Sequence, residues 1–151
     1  EHDKDPRRSI AEDMIKNFPK EGKIMAYNQS FEKMCVQSLA EYCPDLSDEL
    51  LALNERFIDL IEPFRGGGFY HSKFKGSFSI KNVLPAICPN NPELNYKALD
   101  ISNGGMAMSA YKELRNSSKN IDIETTRKNL FKYCRLDTYA MYAIYKKILQ
   151  I

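Results

Sequence analysis

The stretch KIMAYNQSFE, residues 23–32, is the starting point for predicting the fold. Its first half is a short apolar run rich in strand-favouring residues, and it predicts a buried strand over Lys23–Tyr27. The polar residues that follow predict a helix with Asn28 or Ser30 as its N-cap. A strand that leads directly into a helix is typical of α/β sheets, whose functional groups gather beyond the carboxyl ends of the strands. Glu32 occupies that place, in the first turn of the predicted helix.

The rest of the chain predicts one more strand and several helices. Arg56–Ile61 is a second β-favouring run, and Pro63 ends it. Apolar residues at helical spacing predict six or seven helices, including a long one from Asp122 that bends near Arg135. We therefore predict an α/β, helix-rich fold with a small sheet, with residues 1–151 forming one domain. The helix after the first strand is predicted to bury Phe31, Met34, Cys35, Ser38 and Leu39.

The composition excludes several classes of protein. Of the 151 residues, 43% are hydrophobic and 28% are charged, which excludes wholesale disorder. The net charge of +2 neither requires nor excludes a nucleic-acid partner. No apolar run reaches the length of a membrane span and no secretion signal opens the chain, so no membrane partner is predicted.

The cysteines form no CxxC pair; we predict small buried side chains in a reducing, cytoplasmic protein. They are Cys35, Cys43, Cys88 and Cys134.

The stretch FYHSKFKGSFSIK, residues 69–81, interleaves lysines with aromatic residues. Lys73, Lys75 and Lys81 suit contacts with phosphates, and the rings can stack on bases. This composition is also that of a surface loop anchored by a few aromatic side chains. The spacing alone favours the anchored loop.

Two pairs of residues have spacings that suit catalysis. Glu32 follows Asn28 by four residues at the end of the first strand, and Asp137 follows Tyr133 by four residues on a late helix. Residues four apart share a helical face, so the phenol of Tyr133 could orient a water that a carboxylate-bound metal ion activates. Each pair also has a structural explanation, because acids stabilise first turns of helices and a tyrosine can simply bond an aspartate.

Taken together and in this order, the motifs resemble the second and third motifs of DnaQ-like 3′–5′ exonucleases. These enzymes belong to the DEDD group of the ribonuclease H-like superfamily, and the resemblance is to its tyrosine-containing branch. Outside the short motifs, the longer stretches of sequence are similar to a bacterial domain family of unknown function assigned to that group. The matching stretches cover nearly the whole chain: DPRR (5–8), YNQSFEKM (27–34), RFIDLIEPF (56–64), FKGSFSIKNVLPAICP (74–89), NYKALDISNGGMAM (95–108) and YCRLDTYAM (133–141).

The resemblance implies a partial ribonuclease H-like fold and a site in which four carboxylates hold two Mg²⁺ or Mn²⁺ ions. Glu32 matches the second-motif acid and Asp137 the third-motif acid, so both are expected metal ligands that meet beyond the first strand. Tyr133 matches the tyrosine that positions the attacking water. Asn28 belongs to the second motif. The predicted nucleic-acid-binding residues are Asn28, Lys73, Lys75 and Lys81.

Two departures from the family pattern shape the functional prediction. The second-motif acid is Glu32 rather than the usual Asp, and the first motif, an Asp-x-Glu on a strand, is expected upstream of Glu1. The chain is thus predicted to be the C-terminal part of a nuclease that cleaves DNA or RNA from the 3′ end, inactive in isolation. The alternative is a non-catalytic module that binds nucleic acid or protein through a degenerate site. The unpaired edge of the Lys23–Tyr27 strand also predicts self-association as a homodimer.

Overall fold

The computed structural model describes residues 4–89, 91–116 and 122–150, which group into two compact units. The N-terminal unit is Lys4–Gly66, and the C-terminal unit contains Gly67–Ile151. Helices dominate the described residues and one small parallel sheet supplies the strands, which confirms the predicted helix-rich α/β class. None of the described helices is both long enough and apolar enough to span a bilayer.

The sheet of the N-terminal unit has two parallel strands, β1 (Ile24–Ala26) and β2 (Phe57–Asp59). Their register places Ala26 opposite Asp59, so both strands end at the same edge. Both predicted strands are confirmed, although each is shorter than predicted. Within the described residues each strand is paired on one side only. Self-association through the free edge of β1 stays a prediction.

The N-terminal unit as described has four α-helices, and the first three form its core. The four helices are α1 (Arg7–Asn17), α2 (Ser30–Tyr42), α3 (Ser47–Asn54) and the short α4 (Glu62–Arg65). Helix α2 packs against both α1 and α3. Small residues at this contact let the helices approach closely. The buried side chains of this core are Ala11, Val36, Ala40, Cys43 and Leu50.

The inward face of α2 overlaps the predicted one at Leu39, which packs against the core, and otherwise differs from it. Phe31 and Met34 are 55% and 57% exposed, whereas Val36 and Ala40 are buried. Both sets of residues follow helical spacing, so the sequence pattern does not distinguish them. The inward set is the smaller one because α1 and α3 pack closely against it.

The C-terminal unit is built from three longer helices joined by turns. They are α5 (Ile80–Ile87), α6 (Gly104–Arg115) and α7 (Ile123–Ile148). Helix α7 runs for 26 residues without interruption, so the helix does not break near Arg135. The linker that the sequence predicts over Asn116–Asn120 lies, apart from Asn116, outside the described residues.

The four cysteines differ in their surroundings, and all four thiols are free. Cys43 is buried in the N-terminal core and Cys88 is half-buried. Cys35 and Cys134 are exposed, so the prediction of four buried thiols is wrong for these two. Cys35 lies on the solvent-facing side of α2, and Cys134 lies on that of α7.

Candidate functional site

Asp137 of α7 lies between two tyrosines of the C-terminal unit. Tyr96 donates a hydrogen bond from its hydroxyl to Asp137 Oδ1 over 2.6 Å. Tyr133 stands one helical turn before Asp137, and its ring centre is 6.3 Å from that of Tyr96. The predicted pairing of Tyr133 with Asp137 on one face is therefore joined by a second phenol that the sequence analysis did not single out.

The two phenols keep their protons more firmly than free tyrosine does. Burial raises the pKa of Tyr96 and that of Tyr133, and hydrogen bonding to the Asp137 carboxylate raises both further. Both side chains are thus neutral hydrogen-bond donors beside a carboxylate. The first turn of α6 is close by, because a Cβ added at Gly104 would lie 3.7 Å from the Tyr133 hydroxyl oxygen.

Replacing Tyr96 by phenylalanine is expected to reduce the loss of stability at alkaline pH. A phenol whose pKa is raised by folding stabilises the folded state below the unfolded pKa of about 10. This contribution is lost as the pH rises from there through the folded pKa. Urea unfolding at increasing alkaline pH gives the slope of the free energy of unfolding against pH. In Tyr96→Phe this slope should be shallower than in wild type by the equivalent of up to about one proton. The exposed-ring variant Tyr111→Phe serves as control, and equal slopes in all three proteins would contradict the prediction.

A cavity of about 770 Å³ opens beside Tyr96 in the C-terminal unit, and we call it the lysine cavity. The Nζ atom of Lys81 lies 5.8 Å from the centre of the Tyr96 ring. The three predicted lysines are brought together here, and Lys97 joins them. Among the described residues that line the cavity there is no aspartate or glutamate. Its lining residues are Lys73, Lys75, Lys81, Asn82, Leu84, Pro85, Ala86, Leu94, Asn95, Tyr96, Lys97 and Ser102.

The loop that carries two of these lysines is anchored by an aromatic cluster. Phe74 is fully buried, and four other rings surround it at centroid distances of 6.0 to 6.4 Å. Its neighbours Lys73 and Lys75 are exposed, and Lys75 adopts a left-handed backbone conformation with φ 54°. Phe74 therefore anchors the loop, as the spacing favoured, and is not available to stack on bases. The four surrounding rings belong to Phe69, Tyr70, His71 and Phe78.

Asp59, at the end of β2, holds the connection between β1 and α2 in the N-terminal unit. Its Oδ1 accepts the N–H of Asn28 at 2.7 Å and its Oδ2 accepts the N–H of Gln29 at 2.9 Å. Oδ1 also accepts the N–H of Ile61 at 3.1 Å. The prediction that Asn28 or Ser30 would cap α2 is wrong, because the described structure gives neither side chain a capping bond. Asn28 instead supplies a left-handed turn with φ 64°, which asparagine tolerates well.

Glu32 also belongs to the N-terminal unit, in the first turn of α2. Its side chain is half-buried, and its Oε2 atom is buried without a hydrogen-bond partner among the described residues. The Oε1 atom of Gln29, one turn earlier, is in the same state. Within each unit, the described residues contain no group of three or more His, Cys, Asp and Glu side chains suited to a metal ion. The predicted approach of Glu32 to Asp137 stays a prediction.

Comparison with known proteins identifies the family. The sequence model of a family described as a domain of unknown function (DUF2779) matches residues 1–79, more than half of the 151 residues. The chain belongs to the DUF2779 family. No curated protein and no solved structure matches the chain significantly. The resemblance of this DUF2779 chain to DnaQ-like exonucleases therefore rests on its motifs alone.

Three polar residues of this DUF2779 chain escaped the sequence analysis. Tyr96 and Lys97 lie in a short 3₁₀ turn, Tyr96–Ala98, where no helical or strand period marks which side chains converge. Asp59 ends a strand, a position that signals a functional or capping role in parallel sheets. That position could have identified Asp59, whereas nothing local to Tyr96 identifies it as the partner of Asp137.

Proposed function

We propose that this DUF2779 chain forms a nucleic-acid-binding part of a metal-dependent nuclease with a ribonuclease H-like fold. The observation that carries the proposal is the lysine cavity, whose described lining gathers four cations and no acid next to the Tyr96–Asp137 pair. Closely spaced cations without acids suit the phosphates of a nucleic-acid backbone. Both DNA and RNA offer such a backbone, and hydrolysis would proceed from the 3′ end.

In this proposal two carboxylates would supply part of the metal site that such a nuclease needs. Asp137 and Glu32 are the oxygen ligands that Mg²⁺ and Mn²⁺ prefer, and the unpartnered Oε2 of Glu32 suits a metal ligand. A bound ion would activate a water and stabilise the charge that develops on the phosphate. Tyr133 would orient that water as a neutral donor beside Asp137. Two ions need more carboxylates than these, so we expect the chain alone to bind ions weakly and to be inactive.

A second candidate function is a non-catalytic module that binds nucleic acid. It is favoured by the lack, within either unit as described, of three metal-ligating side chains close together. Such a module would retain the lysine cavity and its affinity for phosphates but would not hydrolyse the bound strand. Whether the full-length protein contains the first acidic motif distinguishes the two candidates. Its presence favours the nuclease, and its absence favours the non-catalytic module.

Removing the charges of the lysine cavity should weaken nucleic-acid binding. The triple variant Lys73→Gln, Lys75→Gln and Lys81→Gln is compared with wild type by fluorescence anisotropy on a labelled single-stranded oligonucleotide. Each lost phosphate contact lowers the slope of log affinity against log salt by about 0.7, so we expect a slope about 2 units shallower. Affinity at low salt should fall at least about tenfold.

A charge-matched control separates this cavity from general electrostatics. Lys16, Lys20 and Lys23 are exposed residues of the N-terminal unit, and replacing all three by glutamine removes the same charge. This control should bind nearly as wild type does. Equal losses in the two triple variants would overturn the assignment of the binding site to the lysine cavity.

A further inference from the structure

We propose that one face of α7 is a second binding surface, which holds single-stranded nucleic acid. The surface, here called the α7 stripe, follows alternating spacings of four and three residues and so lies along one side of the helix. It is about 27 Å long, at 1.5 Å per residue. The inference extends the proposed function to a separate face of the C-terminal unit. The α7 stripe consists of Lys128, Lys132, Arg135, Tyr139, Tyr142 and Lys146, all exposed.

The charge of the α7 stripe suits a polyanion. It carries four cations and no acid, and the whole of α7 has two acids, Glu124 and Asp137. Asp137 is engaged by Tyr96 and points away from the stripe, on the side where Leu136, Ala140 and Ile144 are buried. Among the described residues that line the cavities along the stripe, Glu93 is the one acid. A phosphate backbone therefore meets an almost uniformly positive face.

Two tyrosines in the middle of the stripe offer ring surface to bases. Tyr139 and Tyr142 are 37% and 54% exposed, and their rings lie 6.5 Å apart with planes inclined by 20°. Stacking of a base on such a ring stabilises single-strand binding and tolerates any base. Cations flanking stacked, exposed tyrosines are the combination that single-stranded nucleic acid binds.

Tyr139 also separates two surface cavities. One of about 570 Å³ is lined by Tyr139, Tyr142 and Lys146, and the other of about 550 Å³ by Tyr139, Lys132 and Arg135. Both are within the size range of small-molecule sites, so each can admit a base while its cations meet the phosphates. A duplex keeps its bases stacked inside and cannot use these cavities. The occupant is thus a single strand, with successive bases on either side of Tyr139.

The aromatic part of the proposal is tested with the double variant Tyr139→Ala and Tyr142→Ala of the 151-residue chain. Affinity for a labelled single strand should fall about 30-fold, while affinity for a duplex of equal length should change little. The chain has nine tyrosines and no tryptophan, so quenching of tyrosine fluorescence by the strand reports stacking and should diminish in this variant. Tyr139→Phe with Tyr142→Phe keeps the rings and should restore binding. The exposed tyrosine of α6 provides the control, Tyr111→Ala.

The charged part is tested with a triple variant, which should make the slope of log affinity against log salt about 2 units shallower. The substitutions are Lys132→Gln, Arg135→Gln and Lys146→Gln.

If wild type binds no nucleic acid, the proposed function fails together with this inference. If the lysine-cavity variant loses binding and both α7 variants keep it, only the inference is overturned. A duplex bound as tightly as the single strand, or polyglutamate competing equally well, would also overturn it. Circular dichroism confirms that each variant keeps its helices, and the phenylalanine pair decides the question if the alanine pair unfolds.

Discussion

Replacing Asp137 by asparagine is expected to abolish phosphodiester hydrolysis, with a loss on the order of a thousandfold or more. Asparagine has nearly the same shape, and its carbonyl oxygen can still accept the 2.6 Å hydrogen bond from Tyr96. The variant thus loses the negative charge but keeps the contact that joins α7 to the turn at Tyr96. The assay uses the full-length protein, a labelled oligonucleotide and Mn²⁺. Thermal unfolding measured alongside should change little.

Two other variants on the same helix make this result specific. Tyr133→Phe should lower the rate less, by about tenfold to a hundredfold, because it removes the orienting hydroxyl and leaves the carboxylate in place. Cys134→Ser changes an exposed side chain between the two and should keep nearly full activity. Full activity in Asp137→Asn would rule out the proposed chemistry. If the full-length wild type binds nucleic acid but never cleaves it, the non-catalytic module is the better account.

Replacing Asp59 by alanine is expected to lower the free energy of unfolding by about 3 kcal/mol. The carboxylate accepts hydrogen bonds from three backbone N–H groups, at 2.7, 2.9 and 3.1 Å. The donors are Asn28 and Gln29, just before α2, and Ile61, just before α4. Alanine leaves all three donors without their acceptor, and the left-handed turn at Asn28 loses the bond that holds it. Urea unfolding followed by circular dichroism measures the change.

The asparagine variant tests whether the carboxylate acts through its oxygens. Asp59→Asn keeps one accepting oxygen and replaces the other by a donor, so about half of the loss is expected. Asp13 is an exposed acid of α1 without a hydrogen bond in the described structure, and Asp13→Ala should stay within about 0.5 kcal/mol of wild type. A similarly small change in Asp59→Ala would mean that other contacts hold this turn.

The inward face of α2 illustrates where sequence patterns stop. Phe31 and Met34 have the spacing and the hydrophobicity of a buried face, and yet Val36 and Ala40 take that place. Helical periodicity identifies a helix and its candidate faces, but the choice between two apolar faces depends on the helices that pack against them. For the same reason the sequence does not show that the thiols of Cys35 and Cys134 are exposed.

The sequence by itself determined whatever depends on neighbours along the chain. Both strands are set by short β-favouring runs, and the helix that follows the first strand and the shared face of Tyr133 and Asp137 are set by the 3.6-residue period. The alternation of Lys73 and Lys75 around an inward Phe74 was also readable as an anchored loop. These features need only short segments, because backbone geometry alone brings the residues together.

Only the tertiary structure decided which distant polar groups meet. The bond from Tyr96 to Asp137 spans 41 residues, and the bond from Asn28 to Asp59 spans 31. Lys97 and Lys81 reach one cavity from different elements of the C-terminal unit. No local period encodes such contacts, because they depend on how packed helices place the turns between them. Burying a hydroxyl or carboxylate is favourable only where a partner is already in place, so the packed core selects these pairs.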